Sequence, residues 1–158
     1  NQNNFKVEIA NDNSEGQIVL SGKIQDLEKL STLLKQKKIK NIRLPVSAPF
    51  HCSLMNVATE IMREELSKLN FKKGDNPLIS NITADEIFNA DELKDLLIKQ
   101  IENRVRWREG TINMINKGVK KFIEIGPGKV LSGLVKRTNK EVEVSSINSE
   151  NEIKNIKI

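Results

Sequence analysis

The order in which strand-like and helix-like apolar patterns follow one another constrains the fold of this chain most. In strand-like segments apolar residues alternate with polar ones or form short runs, whereas in helix-like segments they recur every three or four residues. Predicted strands cover residues 5–9, 17–21, 42–46, 77–82, 122–125 and 142–146, and predicted helices cover 24–34, 54–69, 91–101, 107–119 and 131–135. Residues 1–46 therefore predict a β-β-α-β unit with an antiparallel sheet. Residues 52–146 predict α-β-α-α-β-α-β with part of a parallel sheet.

Local signals place the boundaries of several elements. The polar cluster at 11–16 (NDNSEG) predicts the turn between the first two strands. Asp91 stands where an N-cap is expected for the helix that follows it. Residues 150–158 predict a polar helix or tail.

Composition excludes several classes of protein. A chain of 158 residues with 37% hydrophobic and 30% charged residues is typical of a globular protein with a proper core. No window approaches the roughly 18 consecutive apolar residues of a membrane span. The net charge of +5 comes mostly from scattered lysines without aromatic residues between them, which argues against nucleic-acid binding. The single cysteine, Cys52, excludes an internal disulfide and predicts a cytoplasmic location.

His51 is the only histidine, and the residues alone leave three interpretations of it open. It can be a packed or hydrogen-bonded residue at the start of a helix, which is the commonest case. A metal site is disfavoured because Cys52 is its only neighbouring ligand. It can also be a general base, since imidazoles have an ordinary pKa of about 6.5 and a helix N-terminus favours their neutral form.

A general base requires a nucleophile, and these residues contain no G-x-S-x-G elbow. Cys52 and Ser53 are sequence neighbours of His51, so their side chains are expected to point in different directions. A self-contained Cys-His or Ser-His enzyme is therefore not predicted.

Four segments resemble those of malonyl-CoA:acyl carrier protein transacylases, in the same order. They are ANDNSEGQIVLSG (10–22), LPVSAPFHCSLM (44–55), QIENRVRW (100–107) and IEIGPGKVLSGLVKR (123–137). The resemblance implies an α/β fold that combines part of an α/β-hydrolase-like parallel sheet with part of an inserted ferredoxin-like lobe. It divides the chain into 1–47, part of the small lobe, and 48–158, the C-terminal part of the acyltransferase domain.

The resemblance also implies the reaction and its partners. A serine takes malonyl from malonyl-CoA, and the phosphopantetheine thiol of acyl carrier protein then receives it, with no cofactor or metal. This chain is expected to be the C-terminal half of such an enzyme and inactive alone, because the serine, an arginine for the malonyl carboxylate and an oxyanion-hole glutamine belong to the missing N-terminal half.

Three site residues follow from the resemblance. His51 matches the catalytic histidine, and Gln100 matches the glutamine whose main-chain carbonyl orients it, as an aspartate does in a Ser-His-Asp triad. Phe50 matches the bulky residue of malonyl-selective members and would narrow the acyl pocket; the competing interpretation is a buried core aromatic. The residues at 126–129 (GPGK) lack the spacing of a phosphate-binding loop, and a tight turn is predicted instead.

Three residues depart from the family pattern. Arg104 replaces a proline and is expected to loosen the turn that positions the Gln100 carbonyl. Glu15 replaces another proline, and Asp12 stands where an aromatic residue is common; both are interpreted as surface variation. Two alternative functions stay open: an acyltransferase domain of a polyketide synthase, and a non-catalytic module that binds acyl carrier protein.

Overall fold

The structure, a computed structural model, describes residues 5–155 and has a mixed α/β fold. The strands are β1 (Val7–Ser14), β2 (Gln17–Gly22), β3 (Leu78–Ile79), β4 (Glu86–Ile87), β5 (Lys121–Ile125) and β6 (Glu143–Ile147). The helices are α1 (Ile24–Gln36), α2 (Asn56–Ser67), α3 (Ala90–Gln100), α4 (Trp107–Asn116), α5 (Val130–Thr138) and α6 (Glu150–Asn155), with a 3₁₀ helix at Ser53–Met55. The predicted polar helix or tail at 150–158 extends beyond residue 155, and that last part lies outside the described residues. Residues 1–4 lie outside them as well.

Strands β1 and β2 form the predicted antiparallel hairpin, but its turn is shorter than the polar cluster suggested. β1 continues to Ser14, and only Glu15 and Gly16 connect the strands. Gly16 has φ of 73°, a conformation that glycine adopts without steric cost. β1 packs against α4, and Arg108 of that helix supplies a partner for Asp12, one of the polar residues of the cluster.

The prediction of a strand at residues 42–46 is wrong. This segment has no regular secondary structure and no ladder partner in the described chain, and its apolar residues Ile42 and Val46 are 76% and 58% exposed. An apolar run has strand character only when a neighbouring strand satisfies its backbone groups. The β-β-α-β unit therefore reduces to a hairpin followed by α1.

Strands β5 and β6 are parallel, as the second half of the sequence predicted. Lys121 pairs with Glu143 and Ile125 with Ile147, in unbroken register, and α5 connects the two strands and packs on both. Of the three two-stranded sheets within residues 5–155, this one is parallel and the other two are antiparallel.

The middle of the chain differs in detail from the prediction. The strand expected at 77–82 is only the two residues of β3, paired with β4, which the sequence analysis missed. Asn89, rather than Asp91, caps α3: its Oδ1 accepts hydrogen bonds from the N–H groups of Asp91 and Glu92 at 2.8 and 3.0 Å. Asp91 is in the first turn, where its charge favours the helix dipole.

The buried apolar residues do not include the amphipathic faces of α1 and α2. They lie mainly on β1, α3, α5 and the ends of the strands (Ala10, Ile87, Leu96, Ile98, Val105, Leu134, Val135, Val142 and Ile147). α1 buries no residue and α2 buries only Thr59, while Val57 and Ile61 are 74% and 60% exposed. The described chain therefore carries a broad exposed apolar surface. None of its helices is long and apolar enough to cross a bilayer.

Candidate functional site

His51 lies in a loop, not in the first turn of an α-helix as the sequence analysis supposed. The 3₁₀ helix begins two residues later, and α2 begins only at Asn56. The backbone φ of His51 is 59°, in the left-handed region that side chains with a Cβ rarely adopt. The orientation of the imidazole therefore depends on the hydrogen bonds of the loop and not on a helical turn.

Cys52 anchors this loop in the core. Its side chain is 0% exposed, and its Sγ donates to the main-chain oxygen of Pro49 at 3.1 Å. The N–H of Met55 donates to the Cys52 carbonyl at 3.0 Å and closes the 3₁₀ turn. The loop is thus held on both sides of His51.

The imidazole of His51 contacts the end of α3. Nδ1 lies 2.8 Å from the main-chain oxygen of Gln100. The last carbonyls of a helix have no partner four residues on, and Gln100 is the last residue of α3, so its oxygen is free to accept. Because a carbonyl only accepts, Nδ1 must donate, which leaves the lone pair of Nε2 available in the neutral ring. This is the geometry required of a general base.

The segment after Gln100 is fixed by strand β1. Val105 donates to the Ala10 carbonyl at 2.8 Å, and the N–H of Asp12 donates to the Val105 carbonyl at 2.9 Å. Arg104 contacts Glu109, with Nη2 3.1 Å from Oε1. The Gln100 carbonyl thus contacts His51 with an arginine at position 104.

Asp12 is buried, so its interpretation as surface variation is wrong. The residue is 6% exposed, and Arg108 donates to its two oxygens from Nε at 3.0 Å and from Nη2 at 2.9 Å. The Arg108 hydrogen bond lowers the pKa of the Asp12 carboxyl and outweighs the opposing effect of burial. Sequence reasoning missed this pair because 96 residues separate its members, and the pattern around each residue does not indicate the other.

A second ion pair lies beside it on α4. Arg106 donates to Glu109 through Nε at 2.9 Å and through Nη2, and its Nη1 donates to the Ile82 and Thr83 carbonyls. The hydrogen bond between them raises the pKa of Arg106 and lowers that of Glu109. These contacts fix the first turn of α4 against the β3–β4 connection.

Cys52 and Ser53 are not placed as nucleophiles for His51. The Cys52 thiol is buried and bonded to Pro49, and Ser53 Oγ donates to Glu8 Oε1 at 2.5 Å. Both side chains are thus hydrogen-bonded to groups other than the imidazole. Phe50 is 47% exposed, so it is not part of the core formed by residues 5–155. Within residues 5–155, no group of three His, Cys, Asp or Glu side chains is arranged to hold a metal.

The GPGK segment forms a turn, and two N–H groups that follow it at the start of α5 are already occupied. Glu124 accepts from the N–H groups of Leu131 at 3.0 Å and Ser132 at 2.7 Å, at the start of α5. Gly128 N–H donates to Asn148 Oδ1 at 2.7 Å. The hydrogen bonds from Ser132 lower the pKa of Glu124. A protein carboxylate therefore fills the position that a bound phosphate would take.

Several curated proteins similar to this chain carry the same name. The chain is 44% identical over 142 residues to the malonyl CoA-acyl carrier protein transacylase of Bacillus subtilis (strain 168), covering 89% of this chain and 45% of that protein. It is 36% identical over 143 residues to the protein of the same name from Escherichia coli (strain K12), covering 90% and 46%. The chain thus spans about half the length of these relatives. No protein-family model matches it.

Solved structures agree with this similarity. An acyl carrier protein S-malonyltransferase from Vibrio cholerae O1 biovar eltor aligns with a TM-score of 0.89 at 38% identity, over 96% of this chain and 50% of that one. A malonyl-transacylase in complex with a type II PKS acyl-carrier protein aligns with a TM-score of 0.87 at 31% identity, over 93% and 48%.

Proposed function

We propose that this chain supplies the general base of a malonyl transfer. Most of its length is homologous to about half the length of malonyl CoA-acyl carrier protein transacylases. The observation that carries the proposal is the 2.8 Å contact between His51 Nδ1 and the Gln100 carbonyl. That contact leaves Nε2 as the proton acceptor. The segment that carries the Gln100 carbonyl is held by the hydrogen bonds between β1 and Val105 and by the Arg108–Asp12 pair between α4 and β1. Gln100 orients the imidazole through its main-chain carbonyl and not through its side chain.

The proposed reaction has two symmetrical halves. A serine outside these 158 residues attacks the thioester carbon of malonyl-CoA while Nε2 of His51 takes the hydroxyl proton. The carbon–sulfur bond breaks, and the imidazolium returns that proton to the coenzyme A thiolate, which leaves a malonyl-serine ester. The thiol of acyl carrier protein then gives its proton to Nε2 and attacks the ester, and the serine leaves with that proton. No cofactor is needed.

The fold proposal follows the same homology. We place residues 48–158 in the C-terminal part of an α/β-hydrolase-like sheet and residues 1–47 in part of a ferredoxin-like lobe. The parallel β5–β6 pair and the β1–β2 hairpin support this division. The apolar faces of α1 and α2 are exposed, which supports the proposal that the N-terminal half of the same enzyme docks on them.

The proposed partners are malonyl-CoA, acyl carrier protein and that N-terminal half, in the cytoplasm. The related transacylase complex with an acyl-carrier protein supports the second of these. Phe50, exposed beside His51, is proposed to face the acyl group. The buried, unpaired Cys52 is compatible with a reducing compartment.

The test is a transfer assay on the gene product at its native length, with malonyl-CoA and holo acyl carrier protein. We expect His51→Ala to slow transfer by about 10²- to 10⁴-fold, the usual contribution of a positioned acid–base group. Intact-mass measurement after incubation with malonyl-CoA should find one malonyl adduct, on a serine outside these residues. An adduct on Cys52 or Ser53, or undiminished transfer by His51→Ala, contradicts the proposal.

A further inference from the structure

The backbone at His51 is in a conformation that its own residue type does not favour. A Cβ-bearing residue at φ of 59° clashes with neighbouring carbonyl atoms, so the chain relaxes to another conformation unless surrounding contacts prevent it. The direction of the imidazole depends on this backbone angle. The contacts that hold the loop therefore also determine where Nε2 points.

One of those contacts comes from a distant strand. Oε1 of Glu8, in β1, accepts hydrogen bonds from the N–H of Ser53 at 3.0 Å and from its Oγ at 2.5 Å. Ser53 is the first residue of the 3₁₀ helix, where a backbone N–H lacks an intrahelical partner, and Cys52 provides no side-chain cap. Glu8 thus supplies the cap that the loop itself lacks, two residues after His51.

The same strand also holds the acceptor of the imidazole. Ala10 and Asp12 lie two and four residues after Glu8 in this strand. Their main-chain groups form hydrogen bonds with Val105 and fix the segment that follows Gln100. β1 is itself paired with β2, and Glu8 stands opposite Ser21 in that ladder. One strand therefore sets the positions of both the His51 loop and the end of α3.

We propose that Glu8 is a positioning residue for His51: by capping Ser53 from β1 it keeps the left-handed loop in place, so that Nδ1 stays on the Gln100 carbonyl. This inference rests on the proposed function for its effect on catalysis. Its effect on the ring itself can be measured without any activity.

The first measurement is the tautomer of neutral His51, by ¹⁵N NMR of the gene product at its native length, with the signal assigned by its loss in His51→Ala. The wild-type ring should carry its proton on Nδ1. In Glu8→Ala the Nε2–H form, which free imidazole side chains prefer, should become substantial. Glu8→Gln keeps an acceptor oxygen in place and should retain the wild-type tautomer. Glu28→Ala removes an exposed glutamate of α1 and is the matched control.

The second measurement is the steady-state rate of malonyl transfer. Glu8→Ala should lower kcat by about ten- to a hundredfold, the effect of a misplaced catalytic group, with KM nearly unchanged. Glu8→Gln should recover most of the rate. Glu8→Asp, which withdraws the acceptor but keeps the charge, should behave like Glu8→Ala and replaces it if that variant fails to fold.

The outcomes separate the two claims. A wild-type protein that transfers no malonyl contradicts the proposed function, while the tautomer comparison still tests Glu8. If Glu8→Ala or Glu8→Asp keeps the wild-type tautomer and kcat, the positioning role is wrong. If Glu8→Gln lowers kcat and shifts the His51 tautomer as much as Glu8→Ala does, the charge of Glu8 matters rather than its hydrogen bond. The positioning role is then also wrong.

Discussion

Arg108 binds the buried carboxylate of Asp12 through two parallel hydrogen bonds, from Nε to Oδ1 at 3.0 Å and from Nη2 to Oδ2 at 2.9 Å. The pair joins β1 to α4 across 96 residues. It lies next to the bonds that connect β1 to Val105, and therefore supports the segment between Gln100 and α4.

Asp12→Asn should lower the free energy of unfolding by about 1.5–3 kcal/mol, the usual contribution of a hydrogen bond to a charged group. Because the folded-state pKa of Asp12 is lowered, this contribution is present above the ordinary value of 3.8 and is lost as pH falls through the folded pKa. Urea denaturation of both proteins between neutral and acidic pH measures it. Asp95→Asn, at an exposed position of α3, is the control; an equal loss in both variants would show that the Arg108 pair contributes nothing.

Gln100→Ala should leave kcat for malonyl transfer within about two- to threefold of wild type, because His51 uses the main-chain carbonyl, which alanine retains. The same assay on His51→Ala supplies the comparison with a large loss. A large loss in Gln100→Ala as well would mean that the amide side chain, not the carbonyl, positions the ring or binds substrate.

The pKa of Asp85 should be about 2, since Lys117 Nζ, Glu86 N–H and Asn113 Nδ2 all donate to its carboxylate. Lys117→Met should raise it toward 3.8, because the lysine makes the largest contribution. A ¹³C NMR titration of the carboxyl groups measures both values. Lys29→Met, a distant exposed lysine of α1, should leave Asp85 unchanged, and a rise there too would indicate a general charge effect.

Glu124→Ala should lower the melting temperature, because it removes the acceptor for two N–H groups at the start of α5. Added sulfate should restore part of the loss in this variant alone, since an anion can then occupy the vacated position. Thermal unfolding with and without sulfate tests this, with Glu141→Ala as the control. Equal stabilisation of wild type and both variants by sulfate would show that the ion acts nonspecifically.

Phe50→Ser should broaden the acyl specificity if Phe50 narrows the acyl pocket. The ratio of kcat/KM for methylmalonyl-CoA to that for malonyl-CoA should rise by roughly 10- to 200-fold. This is the usual discrimination between substrates that differ by one such carbon group in an apolar pocket. Phe88→Ser changes another exposed aromatic residue, elsewhere on the chain, and should leave the ratio unchanged. An unaltered ratio in Phe50→Ser would remove this residue from the acyl site.

Local patterns predicted the elements that depend on local forces. The helices α3, α4 and α5 and the strands β5 and β6 lie close to where spacing placed them, because a periodic apolar face is a property of a short segment. The strand predicted at 42–46 failed for the opposite reason: a strand needs a partner, and the described chain offers none. Likewise, α2 has the periodicity of a buried helix yet remains exposed, because burial depends on what packs against it.

The sequence by itself determined the chemical identity of the site: one imidazole, no elbow serine, and four segments that resemble those of a transacylase family. Only the tertiary structure decided the geometry. It brought Nδ1 of His51 to a carbonyl 49 residues away, buried Asp12 against Arg108, and placed Glu8 on the backbone of Ser53. Hydrogen bonds between distant segments depend on how the elements pack, and no periodicity within a segment encodes which carbonyl or carboxylate will be left without a nearer partner.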